Sequence, residues 1–546
     1  MRETALMLAQ FLQSDQNLGD LDNTGTARSN LGLGNVDNTA DLDKPISTAQ
    51  ASAIATKLDA THAGSGGAAH ANAVASGAAG FMSGADKAKL DGIAADANNY
   101  THPTSHAPSV ITQDANNRFV TDAEKATWSG KADAVTPNLI GTPGAAGFGV
   151  GVCPSPPPGM VELAGCRESL SDNYGNYLYQ DGSVMVWVPA FYYKWGTGAN
   201  GVALNDVSIA ALSAYANEAA ANTAGFALHR AFKDGGANKT GFFVDKYLCS
   251  NNDGTASSLR WGNPLSSNAA HNQFSSLDGA PANFYYGAIA AAKTRGQDFF
   301  CSSRFIFAAL ALLSYAHAKA SSATTYCAWY DATNNFLKGC NNNALGDAQD
   351  GTLTFVSDGY STACKTGSAS VLAKTTHNGQ KSGVADLNGC MWEITPGLAT
   401  DAGATTYYIL KTSAAMKNVT GGNTLATDLW GATGLAALYD SLGATYEAAV
   451  VANAWKYYGS ASQVFSEATS GNAWNWAGAG CPKSAGVGGT NIFGNDGFYD
   501  ARPADLCPVS GGYWAYSSLA GVWALALDGV RGTSNVVVGF RAALYL

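Results

Sequence analysis

The chain closes on GGYWAYSSLAGVWALALDGVRGTSNVVVGFRAALYL, residues 511–546. Its last eight residues, GFRAALYL, read as a buried strand. The stretch before them does not read as an ordinary surface, because it holds no Lys, Glu or Gln. Trp514 and Trp523 stand isolated among small residues.

The rest of the chain sets the context. Its 546 residues suggest three or four domains. Charged residues make up 13%, about half the usual share, and there are 63 glycines. That balance suggests a loop-rich, β-leaning protein solvated by neutral polar groups. A formal charge of −10 with no basic run excludes a phosphate-backbone binder. The longest apolar run, FIFAALALLSYA (305–316), is too short to span a bilayer and reads as a buried helix capped by Ser303. The N-terminal MRETALMLAQFLQSDQ lacks the apolar core of a signal peptide, so export by the usual route is not expected. Ten cysteines lie between Cys153 and Cys507 with no C-x-x-C pair. They read first as buried thiols, second as disulfides formed after release, and least as a zinc site.

Composition changes near residue 150. Residues 1 to about 135 contain no Cys and a single Trp. FMSGADKAKLDGI (81–93) repeats as FVTDAEKATWSGK (119–131). In each copy Ser83 or Thr121 has an acid, Asp86 or Glu124, three residues on, at capping-box spacing. Phe81 or Phe119 precedes the cap as a staple, and Leu90 or Trp128 falls on the short helix that follows. Helices this small make sense where several chains share a core. From 137 to 160 the Gly/Pro-rich PNLIGTPGAAGFGVGVCPSPPPG reads as a stiff linker. The expected division is an N-terminal attachment segment (1–60), a repetitive shaft (61–136), the linker (137–160) and one large domain (161–546).

QNLGDLDNTGTARSNLGLGNVDNTADLDKPISTAQASAI (16–54) and AGFMSGADKAKLDGIAADANNYTHPTSH (79–106) resemble the repeated shaft segments of tailed-phage tail fibres. The resemblance implies a homotrimer on a virion, joined to other tail or baseplate proteins. His102 and His106 could converge on a trimer axis around a metal, but solvated loop histidines are the stronger reading.

In the large domain, GSVMVWVPAFYYKW (182–195) reads as a strand pair and TGFFVDKYLCSN (240–251) as a strand. NFYYGAIAAAKTRG (283–296) reads as a helix ended by Gly296. The expected class is α+β. The order of these pieces, the GVADLNGCMWEITPGL stretch (383–398) with Asn388, Gly389, Trp392 and Glu393, and the closing VGFRAAL (538–544) together resemble the C-type-lectin-like fold in its formylglycine-generating-enzyme form. Residues 399–500 fit that pattern poorly and read as an insertion. The enzyme members carry a cysteine pair five residues apart near the C-terminus. Here no cysteine follows Cys507, which removes the oxidase activity. Glu393 reads as a structural carboxylate and not as a catalytic acid.

The terminal segment is similar to the variable proteins of diversity-generating retroelements. Their templates mutate AAY codons, whose products exclude Lys, Glu, Gln, Met and Trp. Within 515–538 only Trp523 falls outside the reachable set. The resemblance implies a fixed scaffold of Gly511, Gly512, Trp514, Trp523, Gly539, Phe540 and Arg541. The expected receptor contacts are Ala515, Tyr516, Leu519, Ala526, Asp528, Gly529, Thr533, Val536 and Val537, with Tyr516 as anchor. For Val536 and Val537 plain strand core is an equal reading.

The expected function is recognition of a bacterial surface protein or glycan by a phage receptor-binding protein in the virion tail. No chemistry, cofactor, metal, nucleic acid or membrane insertion is expected. A polysaccharide-cleaving virion enzyme is the alternative, and the β-helix repeats with facing carboxylates it would need are not found. A chaperone or assembly factor would not need a diversified end. NNDG (251–254) and GNDG (494–497) could bind calcium, but turns explain both better.

Overall fold

In the computed structural model the described residues are 24–33, 46–57, 83–93, 124, 139–194, 207–278, 285–400, 406–413, 416, 439–445, 455–458, 480–481, 494–501, 503 and 506–546. The chain divides into two compact units, Met1–Phe119 and Val120–Leu546.

The first unit contributes three helices: α1 (Thr24–Asn30), α2 (Thr48–Lys57) and α3 (Gly84–Asp91). The N-cap of the first repeat is formed through the serine hydroxyl. Ser83 Oγ accepts the Asp86 N–H at 3.1 Å, and its hydroxyl donates to Asp86 Oδ2 at 2.7 Å. Leu31, Ile54 and Leu90 are exposed, so the described helices of this unit bury little apolar surface within one chain. Phe81, His102, His106 and all of the second repeat except Glu124 lie outside the described residues.

The second unit begins its core earlier than a linker reading allows. Ile140, Phe148, Val150, Val152 and Cys153 are buried in it. The glycines of this stretch serve tight turns here and not a spacer. Gly149 has φ +81, and a Cβ there would meet His377 Nε2 at 2.8 Å. That close approach lets His377 Nε2 sit 3.0 Å from the Gly149 carbonyl. The run around Pro156–Pro158 and the residues Leu139, Gly141 and Thr142 stay at the surface.

The strands that position the site are β1 (Met160–Glu162), β2 (Asn176–Tyr179), β3 (Val184–Pro189), β4 (Gly241–Asp245) and β5 (Phe300–Cys301). They are followed by β6 (Trp392–Ile394), β7 (Trp455–Tyr457), β8 (Gly497–Asp500) and β9 (Val509–Gly511). The last three are β10 (Gly521–Leu527), β11 (Val538–Gly539) and β12 (Ala542–Tyr545). The first six-stranded sheet runs β1-β2-β3-β4-β12-β5, and the second runs β7-β8-β10-β9-β6-β11. The first sheet is antiparallel throughout. The second is mixed, with β8–β10 and β6–β11 parallel. The fold class is α+β, as expected.

The two ends of the GSVMVWVPAFYYKW stretch are both strands but do not pair with each other. β3 pairs with β2 and β4, whereas Phe191–Lys194 pairs with Ser208–Ala211 and Ala227–Leu228. The bend at Ala190 turns the chain from one sheet to another. TGFFVDKYLCSN likewise holds two strands, β4 and Cys249–Asn252. Helix α4 (Arg304–Ala320) is nearly all buried and is capped by Ser303 Oγ, which accepts the Ile306 N–H at 3.3 Å. It packs against β10. The helix ending at Gly296 is described from Tyr285 and finishes in a 3₁₀ turn, with Gly296 at φ +156. Within the stretch read as an insertion, β7 and β8 are strands of the second sheet.

Candidate functional site

The closing segment crosses from the second sheet to the first between Gly539 and Ala542, and Arg541 occupies the crossing. Its guanidinium holds Glu393 bidentately, Nε to Oε2 at 2.6 Å and Nη2 to Oε1 at 2.8 Å. Nη1 also donates to the carbonyls of Asp245 (3.2 Å) and Lys246 (3.0 Å), and Nη2 to that of Ala385 (2.7 Å). The arginine therefore ties β6 to the end of β4. Burial pushes the Glu393 carboxyl up, and Arg541 opposes that shift. Both of its oxygens are occupied and it is 1% exposed, so it has no path to a substrate. Glu393 is a structural carboxylate.

A second buried arginine repeats the device. Arg295 holds Asp245 through Nη1 to Oδ1 (2.5 Å) and Nη2 to Oδ2 (3.1 Å), and Asp245 Oδ2 accepts the Ala542 N–H at 2.8 Å.

The other scaffold residues of the Asn-Gly-x-x-Trp-Glu stretch also have defined work. Asn388 Nδ2 donates to the Leu337 carbonyl at 2.9 Å. Gly389 has φ +73, and a Cβ there would lie 2.1 Å from the Cys340 carbonyl oxygen. Trp392 donates its backbone N–H to the Val537 carbonyl at 2.9 Å, and its ring meets Tyr516 edge-on at 5.2 Å.

The tryptophans of the closing segment are anchors. Trp514 is buried and packs against Tyr360 and His271, with ring centroids 6.2 and 5.8 Å away. Trp523 is buried against Tyr315 and Tyr458, and its backbone N–H donates to Asp496 Oδ2 at 2.8 Å. NNDG and GNDG are tight turns, with Asp253, Gly254, Gly494 and Asn495 at positive φ. Gly511, Gly512, Gly539 and Phe540 are buried as well.

The expected contact residues separate into groups. Asp528 is exposed, and Ala515, Tyr516, Leu519, Thr533, Val536 and Val537 are half-buried. Ala526 and Gly529 are buried: Ala526 lies on β10, whose residues are buried on both faces of the sheet, and the Gly529 carbonyl accepts the Cys507 N–H. These two have no outward face, which corrects their expected role as contacts.

Tyr516 is the centre of one cluster. Its ring lies 4.8 Å from Tyr513 and 5.2 Å from Trp455, which in turn lies 5.0 Å from Tyr499. Burial, then the neighbouring Tyr513, Asp528 and Tyr499, raise the Tyr516 hydroxyl. No ion pair to Asp528 occurs among the described residues. The second group, Thr533 to Val537, is fastened to residues 267–271. Asn535 N–H donates to Ser267 Oγ at 2.9 Å, and His271 Nδ1 lies 2.7 Å from the Val536 carbonyl. The His271 Nε2 end meets Asp358 Oδ2 at 2.6 Å. Trp392 lies between the groups, touching Tyr516 on one side and Val537 on the other.

Sequence reasoning missed Trp455, Tyr499, Tyr513, His271 and Asp358. Trp455 and Tyr499 fall in the stretch set aside as an insertion, and nothing in their local sequence links them to residue 516.

No family model matches this chain, and no curated protein matches it. Among solved structures it is similar to a Major Tropism Determinant I1 Variant, at 14% identity over 56% of this chain and 50% of that one, with a TM-score of 0.23. The match spans half the length of that protein. An overlap this loose does not define a shared fold, and the class of the domain rests on its own topology and buried arginine network.

Proposed function

We propose that this chain is a receptor-binding fibre protein of a tailed bacteriophage, whose C-terminal lectin-like domain binds a bacterial surface protein or glycan without chemistry. The N-terminal repeats form a trimeric shaft that joins it to other tail or baseplate proteins. The terminal segment is the contact region and is open to diversification. The contact face is confined to the last strands of this domain and the elements beside them.

One observation carries this reading. The terminal segment rests on a fully buried frame of Trp514, Trp523, Glu393 and Arg541, while Tyr516, Leu519 and Asp528 stand outside it beside Tyr513, Trp455 and Tyr499. A frame of that kind tolerates change in the outer side chains without loss of the fold. Rigid aromatics supply contact area at low entropy cost. Three copies on one fibre would convert weak single-site binding into tight attachment. Glu393 and Asp245, the buried carboxylates of the frame, are consumed by arginines, which takes them out of acid catalysis.

The reading is tested by adsorption of the purified protein to host cells. Tyr516→Ala should cut adsorption at least tenfold with the melting temperature held within a few degrees, as expected for an aromatic anchor. Unchanged adsorption would remove the terminal face as the contact site. Sequencing the DNA downstream of the gene tests the diversified origin, which requires a near-copy of codons 511–546 with AAY at the variable positions and a reverse transcriptase.

A further inference from the structure

Three buried thiols meet beneath Trp514: Cys340, Cys364 and Cys390. Cys364 Sγ donates to Cys390 Sγ at 3.1 Å. Cys340 Sγ donates to the Thr362 carbonyl, 3.7 Å away, and also shares a hydrogen bond with Cys364. A disulfide holds its sulfurs about 2.05 Å apart, so the Cys364 and Cys390 sulfurs must close by only about 1 Å.

The two partners sit on different elements. Cys364 closes a small hairpin through its bridge to Ser357, and that hairpin carries Asp358 and Tyr360. Cys390 follows Gly389 and has φ +59. Its N–H donates to the Cys340 carbonyl at 2.7 Å, and its carbonyl accepts the Trp514 N–H at 3.2 Å. A bond between them would fasten the hairpin that faces His271 and Trp514 to the strand under the terminal segment.

We propose that Cys364 and Cys390 form an intramolecular disulfide when the protein meets a small-molecule disulfide. One protein thiol, as thiolate, attacks a sulfur of the oxidant and displaces one small thiol. The second protein thiolate attacks the protein sulfur of that mixed disulfide and displaces the other. The two cysteines lose two protons and two electrons, and the oxidant is reduced to two thiols. Hydrogen bonds shared with Cys340 and Cys390, followed by burial, keep the Cys364 thiol protonated, so the reaction is slow at neutral pH. The oxidant gains access when the hairpin opens at its exposed turn, Gly359 and Ser361. This pairing is independent of the function proposed above, because the thiols react or fail to react whatever the domain binds.

The test is incubation of the purified full-length chain with oxidised glutathione at pH 8, then alkylation, and peptide mapping by mass spectrometry without reduction. The expected result is one peptide pair joined through Cys364 and Cys390. The unfolding midpoint should rise by several degrees and fall back with dithiothreitol. Cys340→Ser should keep the bond and the shift, whereas Cys364→Ser should lose both. A bond through Cys340, or ten alkylatable thiols after oxidation, overturns the proposal.

Discussion

Arg541 shows how much one side chain can decide. It satisfies a carboxylate and several carbonyls from separate stretches of chain, all inside the protein. Removing one partner of such a pair leaves a buried charge unmatched. Glu393→Gln should therefore cost about 3–5 kcal/mol, measured as a fall in denaturant midpoint at unchanged slope. A cost below about 1 kcal/mol would mean that water reaches Arg541 and that the frame is not closed. Three histidines set a second expectation. Burial lowers His229 to about 3 and His317 and His377 to about 4. Their folded values lie below the unfolded value of about 6.5, so the unfolded chain takes up these protons first. The stability they contribute is full above about pH 6.5 and is lost as pH falls toward 4. Histidine-selective NMR should show no titration of these rings between pH 8 and 5; a midpoint near 6.5 for any of them would show that its ring is hydrated.

At the scale of elements, β10 is the strand on which the terminal segment depends. It runs between β8 and β9, packs on α4, and is buried along its whole length. Its first residue is constrained by a close neighbour. A Cβ on Gly521 would lie 1.8 Å from Asp496 Oδ1, the carboxylate that also receives the Trp523 N–H. Gly521→Ala should displace that carboxylate and cost about 1–3 kcal/mol. Hydrogen exchange would register it as faster exchange of the Trp523 amide, while β3 and β4 in the other sheet stay protected. Wild-type protection at Trp523 in the variant would show that the carboxylate moves aside at no cost. The same strand explains the burial of Ala526: successive side chains point to opposite faces of the sheet, and on β10 the residues of both faces are buried.

At the scale of the whole molecule, the second unit depends on residues that look dispensable in the sequence. Ile140, Phe148, Val150, Val152 and Cys153 fill its core from a stretch rich in Gly and Pro. A chain starting at residue 139 should melt cooperatively, and a chain starting at residue 154 should lose more than 10 °C or fail to fold, since several buried side chains are removed together. Calorimetry on both truncations settles the boundary. Equal melting would place the start of the domain after Cys153.

The sequence determined the fold class, the capped helix after Ser303, the N-cap at Ser83 and the closing strand. Each depends on local periodicity or on a cap within four residues. It also marked the frame, because Asn388, Gly389, Trp392, Glu393 and Arg541 stand in a legible order. It could not show that Glu393 is spent on Arg541, since the partners are 148 residues apart. Nor could it bring Trp455 and Tyr499 to Tyr516, or bury Ala526 and Gly529. Those outcomes depend on which strands become neighbours. Pairing is decided by burial across the whole domain, and the tertiary structure alone supplies it.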